Sequence, residues 1–425
     1  MVPEVAVTVK PAGMPGTMAA ARPQLIRALN EQLLLGRIRD LGPCSRADLA
    51  RLSGLSKPTV SLALATVERA GLVRVAGQQT GRPGRSARLY EIRPEAGFVL
   101  GLDVGAQYLR GALADLAGGI RARASRRSSA SSFRTRVDEL IGLADDLCAE
   151  AGIARSGITQ AVIGTPGVYD PRRGAMALTG RPPGWERPEA ATRLREAFGE
   201  SLALENDIDA AALAEQALGH GRDVDSFAFV SLGTGIGMGL VIDGQLVRGA
   251  HGVAGEIAFI PMTGGQGADP GEERRRGTLE AASSAAAVVR AARRAGMRGQ
   301  VSARRVFMAA AKGDERAAAV VADEARLLAR VLCTVITIAD PALIVLGGGI
   351  GQAPGFADAV TSELQAITPV MPDVRVSALG TEAVVDGCLA AAAELAWAKL
   401  TVALPASPAP GPDGHRTGLA GTGVS

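Results

Sequence analysis

The sequence lacks the ingredients of several kinds of site. Aromatic residues make up only 3% of its 425 residues, too few for a stacking platform that would hold single-stranded nucleic acid. The four cysteines, Cys44, Cys148, Cys333 and Cys388, are widely scattered and form no CxxC pair. That spacing supports neither a disulfide framework nor a cysteine zinc site. No signal-peptide layout of charged and then apolar residues opens the chain. The most apolar stretch, residues 331–350, is broken by Asp340-Pro341 and a triple glycine, which suits a strand and loop rather than a membrane span. A cytoplasmic protein with no membrane segment is the expectation. Lysine is scarce as well: Lys10, Lys57, Lys312 and Lys399 are the only four, so the positive charge is almost all arginine, a trait of composition.

With 47% hydrophobic and 21% charged residues, the chain can build two or three domains with buried cores, and wholesale disorder is excluded. Residues 1–20, rich in Pro, Gly and Ala, and the Pro/Gly/Ser/Thr stretch 405–425 read as a disordered leader and tail. The formal charge of +3 conceals a polarity. Residues 22–93 hold 13 Lys and Arg against 5 Asp and Glu, a net of +8, and everything from Pro94 onward sums to −5. A basic front end on a mildly acidic body implies that only the front end meets a polyanion.

In that front end, Leu25, Leu29, Leu33 and Leu34 recur at helical spacing, predicting a helix with one buried stripe. Ser45 is placed to cap a short second helix with Asp48 in its first turn, and Gly54 to end it. Ser56 then caps a third helix, with Pro58 at its start and Val60, Leu64 and Val67 facing inward. Lys57, Thr59 and Ser61 are left facing out near its N-terminal end, where a recognition helix meets base edges. Two strands follow, with Gly81-Arg82-Pro83-Gly84-Arg85 between them. Arg82 and Arg85 on such a hairpin tip suit a narrow, electronegative minor groove. Each feature alone fits a small helical cap whose charge is merely solvated. Together, and in this order, they predict a winged helix-turn-helix over residues 22–93 that binds double-stranded DNA.

From Phe98 the pattern changes to apolar strands that run into glycine loops, interleaved with Ala-rich amphipathic helices. Phe98–Val104 leads to Gly105, Phe227–Leu232 leads to Gly233-Thr234-Gly235, and Ala342–Leu346 leads to Gly347-Gly348-Gly349. Three such units predict an α/β body with its ligand site where the strands end. Glycine loops also turn chains without touching ligands, and Asp207 could simply cap the helix that begins after it. Glu256, set amid Gly and apolar residues, would be costly to bury without a partner, which favours a ligand role. His251 could steady the same loop or touch a ligand, and Trp185 could fill the core or border a cleft.

Four pieces of the body point one way in combination: Gly101-Leu102-Asp103-Val104-Gly105; Glu205-Asn206-Asp207 with its following Ala-rich helix; Gly233 to Gly239 leading to Gly255-Glu256-Ile257; and Asp340-Pro341 with Gly347-Gly348-Gly349. In this order they resemble the ROK family of sugar kinases and sugar-responsive repressors, and the winged helix in front resembles the repressor branch. The resemblance covers about residues 22–400. It implies an actin-like, two-lobed ROK domain over residues 97–400 with sugar in the cleft. By motif it places Asn206, Asp207, Glu256 and Glu280 on sugar hydroxyls, with His251 a further candidate. Carboxylates and an amide suit hydroxyls that both donate and accept. It also puts Asp103, Gly105, Gly233, Thr234 and Gly235 in phosphate loops, where backbone N–H groups hold an anion. In kinase members the aspartate at Asp207 serves as catalytic base.

The departures are informative. Kinase members carry a threonine in the first phosphate loop, whereas this chain reads Gly105-Ala106-Gln107, which argues against ATP use. The family's zinc-binding histidine falls on Phe259, and 262–277 contain neither cysteine nor histidine. Neither zinc nor another cofactor is expected, and effector binding is altered by the loss of that histidine. The leading expectation is a transcriptional regulator, a repressor of carbohydrate-utilisation genes that works as a homodimer or homotetramer on a DNA operator and answers to a sugar or sugar derivative. One rival is an ATP-dependent sugar kinase with an accessory DNA-binding domain, Asp207 catalytic. Another is a regulator with a degenerate cleft controlled by a protein partner.

Overall fold

The computed structural model describes residues 23–79, 87–128, 132–170, 172–178, 184–262 and 270–402. The leader, the tail and the wing-tip residues Arg82 and Arg85 lie outside them. The chain divides into two compact units, residues 1–93 together with 399–425, and residues 94–398.

The first unit opens with α1 (Pro23–Leu41), β1 (Cys44–Ser45), α2 (Arg46–Ser53) and α3 (Lys57–Arg69), then β2 (Val73–Gln79) and β3 (Ala87–Ile92). Its local signals act as the sequence implies. Ser45 and Asp48 form a reciprocal capping box, the Ser45 hydroxyl accepting from the Asp48 N–H at 3.2 Å while the Asp48 carboxylate accepts from the Ser45 N–H at 3.2 Å. Gly54 ends α2 in the left-handed region at φ +70°, and Ser56 caps α3. Val60, Leu64 and Val67 are buried. The three strands pair in the order β1-β3-β2, so three helices backed by a small sheet make a winged helix-turn-helix. One expectation is corrected. Among the described side chains the buried stripe of α1 is Glu31, Leu34, Leu35 and Ile38, so Leu34 faces inward as expected while Leu29 and Leu33 are 54% and 37% exposed, and the Leu25 side chain lies outside those described. With leucines on more than one face, the helical period fits two phases about 100° apart, and packing against α3 selects the later one.

The second unit contains two five-stranded sheets. The first holds β4 (Phe98–Val104), β5 (Tyr108–Asp115), β6 (Ile120–Arg127), β7 (Ile158–Thr165) and β10 (Leu202–Asn206). Alongside them run α4 (Phe133–Glu150), a small hairpin of β8 (Val168–Asp170) and β9 (Ala175–Ala177), and α5 (Pro188–Phe198). After α6 (Asp207–Leu218), the second sheet holds β11 (Phe227–Leu232), β12 (Ile236–Ile242), β13 (Gln245–Leu246), β14 (Leu343–Gly347) and β15 (Asp373–Val376). Its helices are α7 (Pro270–Arg276), α8 (Thr278–Ala282), α9 (Ala285–Arg294), α10 (Ala303–Ala311), α11 (Glu315–Ala339), α12 (Gly348–Gly351) and α13 (Phe356–Gln365), with α14 (Ala383–Val402) last.

The sheets repeat one topology. Their orders are β10-β7-β4-β5-β6 and β13-β12-β11-β14-β15. In each, three strands meander antiparallel and two more add in parallel beside the first. This duplicated arrangement is the actin-like, two-lobed architecture. Helices α4 and α5 cover the first sheet around Leu140, Leu147 and the fully buried Trp185, which settles that tryptophan as core. Helices α8 to α13 cover one face of the second sheet.

Two helices are exchanged between the lobes. Helix α6 leaves the first sheet yet packs its alanines on Phe227, Phe229 and Val241 of the second. Helix α14 leaves the second lobe and lies across β4 and β7 of the first, so tightly that a Cβ on Gly101 would stand 2.8 Å from the Val385 carbonyl oxygen. The two helices meet at Gly387, where a Cβ would stand 1.6 Å from the Ala210 carbonyl oxygen. Only glycine permits that approach. Among the described residues, no helix is long and apolar enough to cross a membrane.

Candidate functional site

The parallel strands of both sheets end at one cleft of about 410 Å³. Its wall is contributed by the loop after β4 (Gly105, Ala106), the β10–α6 junction (Asn206 to Asp209), the β11–β12 turn (Gly233, Thr234, Gly235), the loop carrying Glu256, the α7–α8 pair Arg276 and Glu280, and the α12 glycines. The structure therefore brings Asn206, Asp207, Glu256 and Glu280 to one cavity, along with Gly105, Gly233, Thr234 and Gly235. His251 is exposed and Asp103 is buried, and neither lines the cavity.

Asn206, not Asp207, is the cap of α6. Its side-chain oxygen accepts from the N–H groups of Ile208 at 2.8 Å and Asp209 at 3.1 Å, and its amide donates to the Gly167 carbonyl at 3.1 Å. The Asp207 carboxyl lies in the cavity wall and accepts from the backbone N–H groups of Ile208 and of Asp207 itself. Burial, reinforced by the charges of Asp103 and Glu256, pushes it up to about 7. Glu256 is raised by burial and then by Glu280. Its loop is held against β12 by Gly255 at φ +85°, where a Cβ would stand 2.1 Å from the Met238 carbonyl oxygen. Glu280 is ion-paired with Arg276 at 2.6 Å. Glu205, one residue before the cap, is paired with Arg248.

Asp103 sits beneath this wall, its carboxylate accepting from Arg110 at 3.0 Å. Burial pushes it up to about 6, although the guanidinium pulls the other way. An internal cation thus already neutralises the aspartate of the first loop.

Two residues escaped the sequence reading. Asp209 is buried in the cavity wall, and burial followed by the charge of Glu205 pushes it up to about 8. Its place one turn into a helix that starts at an acid-rich junction was the available signal. Arg136 of α4 is buried and donates to the carbonyls of Gly105 at 2.6 Å and Ala106 at 3.3 Å, fixing the first loop from behind. An arginine on an amphipathic helix gives no such signal.

In the first unit, Lys57 is exposed at the start of α3, and Thr59 and Ser61 are half-buried. The Thr59 hydroxyl shares a 2.8 Å hydrogen bond with Ser56, so of the three only Lys57 projects freely. Phe259 is 39% exposed and does not line the cavity.

Comparison with known proteins comes to the same ground. A model of the ROK family matches residues 99–394. The chain is 29% identical over 245 residues to the xylose repressor of Bacillus subtilis (strain 168), covering 58% of this chain and 63% of that protein. It therefore spans less than two thirds of that relative's length. The structure of a ROK family transcriptional regulator, a homologue of the E. coli MLC protein, superimposes with a TM-score of 0.72 at 24% identity, covering 89% of this chain and 98% of the other. A ROK hexokinase from Thermus thermophilus superimposes with a TM-score of 0.60 at 30% identity, covering 70% and 99%.

Proposed function

The chain belongs to the ROK family, and from that membership we propose that it is a DNA-binding transcriptional regulator, a repressor of carbohydrate-utilisation genes whose operator affinity is set by a sugar in the cleft. One observation carries this reading: a winged helix-turn-helix and a carboxylate-walled cavity of sugar size occur in a single chain. Asp207, Glu256 and Glu280 would accept from sugar hydroxyls, and the cap held by Asn206 would keep the β10–α6 corner in place. Lys57 would approach the major groove, with Arg82 and Arg85 on the flanking minor groove. Reading two half-sites calls for a homodimer or a homotetramer. Sugar would favour one arrangement of the lobes. A coupling of about 1–3 kcal/mol, ordinary for allostery, changes operator affinity roughly 5–150-fold.

The reading includes neither zinc nor ATP. Phe259 stands at the family's zinc histidine, and Arg110 occupies Asp103 where a nucleotide-binding loop would be needed. One observation favours the rival kinase: the Asp207 carboxyl, raised to about 7 in the cavity wall, is poised as a base for a sugar hydroxyl. Electrophoretic titration of the chain on its own upstream DNA, repeated with a panel of pentoses, hexoses and amino sugars, tests the proposal. A retarded complex that one sugar weakens or strengthens at least about fivefold is the expected result. Robust ATP-dependent sugar phosphorylation that vanishes in Asp207→Ala would move the assignment to the kinase.

A further inference from the structure

The net acidity of the body conceals a basic surface on its second lobe. Residues 281–313 contain seven Arg and Lys and no Asp or Glu. They build α9 and α10, which pack side by side. Arg293, Arg298, Arg304, Arg305 and Lys312 are exposed and form no ion pair among the described residues. Elsewhere in the body some arginines are tied to carboxylates, as Arg126 is to Asp146, Arg326 to Asp323 and Arg375 to Asp373, while exposed Arg127, Arg134, Arg187, Arg222 and Arg330 are scattered singly and form no ion pair among the described residues.

Helix polarity sharpens the point. Arg293 lies in the last turn of α9, where a cation is favoured by the helix dipole. Arg304 and Arg305 lie in the first turn of α10, where the dipole disfavours them and where an acidic residue would be the stabilising choice. Ser302 caps that turn, accepting from the Arg305 N–H at 3.3 Å, so the two guanidinium groups add to the positive end of a helix. Among the described residues no carboxylate is paired with either of them.

We propose that the α9–α10 surface of the second lobe binds the phosphate backbone of duplex DNA, as a contact separate from the winged helix-turn-helix. The proposal rests on the DNA-binding reading above. The surface offers several fixed positive charges, and its only aromatic, Phe307, is buried. It can therefore neutralise phosphates without stacking on bases, which suits a duplex and carries no sequence preference. The acidic total of the body does not prevent this, because residues 281–313 themselves carry no carboxylate; of the acids that follow directly, Asp314 is paired with Arg316 and Glu315 opens α11.

Binding of the full-length protein to its operator duplex and to a scrambled duplex, measured across salt concentrations, tests the surface. In Arg293→Gln/Arg298→Gln/Arg304→Gln/Arg305→Gln, the slope of log K against log salt is expected to shrink by about 0.9 for each phosphate that is no longer neutralised. The decrease should be equal on both duplexes, and the matching four-lysine variant should restore the parent slope. Arg304→Gln/Arg305→Gln alone serves if the fourfold variant does not fold. A glutamine variant that folds and keeps the parent slope would overturn this surface while leaving the winged helix-turn-helix reading intact, and would point to an acidic protein instead. A parent protein that binds neither duplex would remove both readings.

Discussion

Asp209 shows what a single buried carboxyl does to this body. Its side chain holds a proton up to about pH 8 in the fold, against about 3.9 for an aspartate in an unfolded chain. Between those values the folded form binds more protons than the unfolded one, so stability falls as pH rises. Asp209→Asn, a neutral stand-in for the protonated acid, should therefore raise the melting temperature at pH 8 and leave it nearly unchanged at pH 4. The difference at pH 8 should be at least about 1 kcal/mol. Parallel pH profiles for the two proteins would contradict this. Residues of this kind were only partly legible in the sequence. Asp207, Glu256 and Glu280 stand in recognisable motifs, and all three reach the cavity wall. Asp209 and Arg136 act through burial and through contact with a loop 30 or more residues away in the chain, which no local pattern reveals. His251 illustrates the converse, since it follows a glycine-rich motif and yet stays exposed outside the cavity.

At the scale of elements, punctuation was the most readable feature. Ser45, Gly54 and Ser56 begin and end helices as their chemistry requires. The phase of α1 was less readable, because its leucines suit two stripes and tertiary packing makes the choice. The crossing of α6 and α14 was invisible. Gly387 sits within an Ala-rich helix and reads as a mild defect, costing about 1 kcal/mol relative to alanine by propensity alone. The structure reverses the sign. Gly387→Ala would press a methyl group into the Ala210 carbonyl, so unfolding by urea should show a loss of about 1–3 kcal/mol. A neutral or stabilising result would mean that α14 can move away from α6 at no cost.

At the scale of the whole molecule, the sequence conveyed the kind of protein better than its inner wiring. Strand-then-glycine units announced an α/β body, and the duplicated sheet order bears out the two-lobed class. Its exchanged helices had no signature, since an amphipathic stripe does not say which sheet it will cover. If the cleft governs DNA affinity, Asp207→Ala should bind operator about as well as the parent and lose its response to sugar. An electrophoretic titration with and without the effective sugar would show this, and a variant that still responds would place the sensing elsewhere.

The exchange also has a consequence for a severed chain. One half ends in an arm, α6, that lies on the other half, and the other half returns α14 across the first. A protease nick in the turn at residues 219–226 would break continuity without freeing either piece. The fragments should elute together under native conditions and part only in denaturant, as two hands remain clasped when the cord between the wrists is cut.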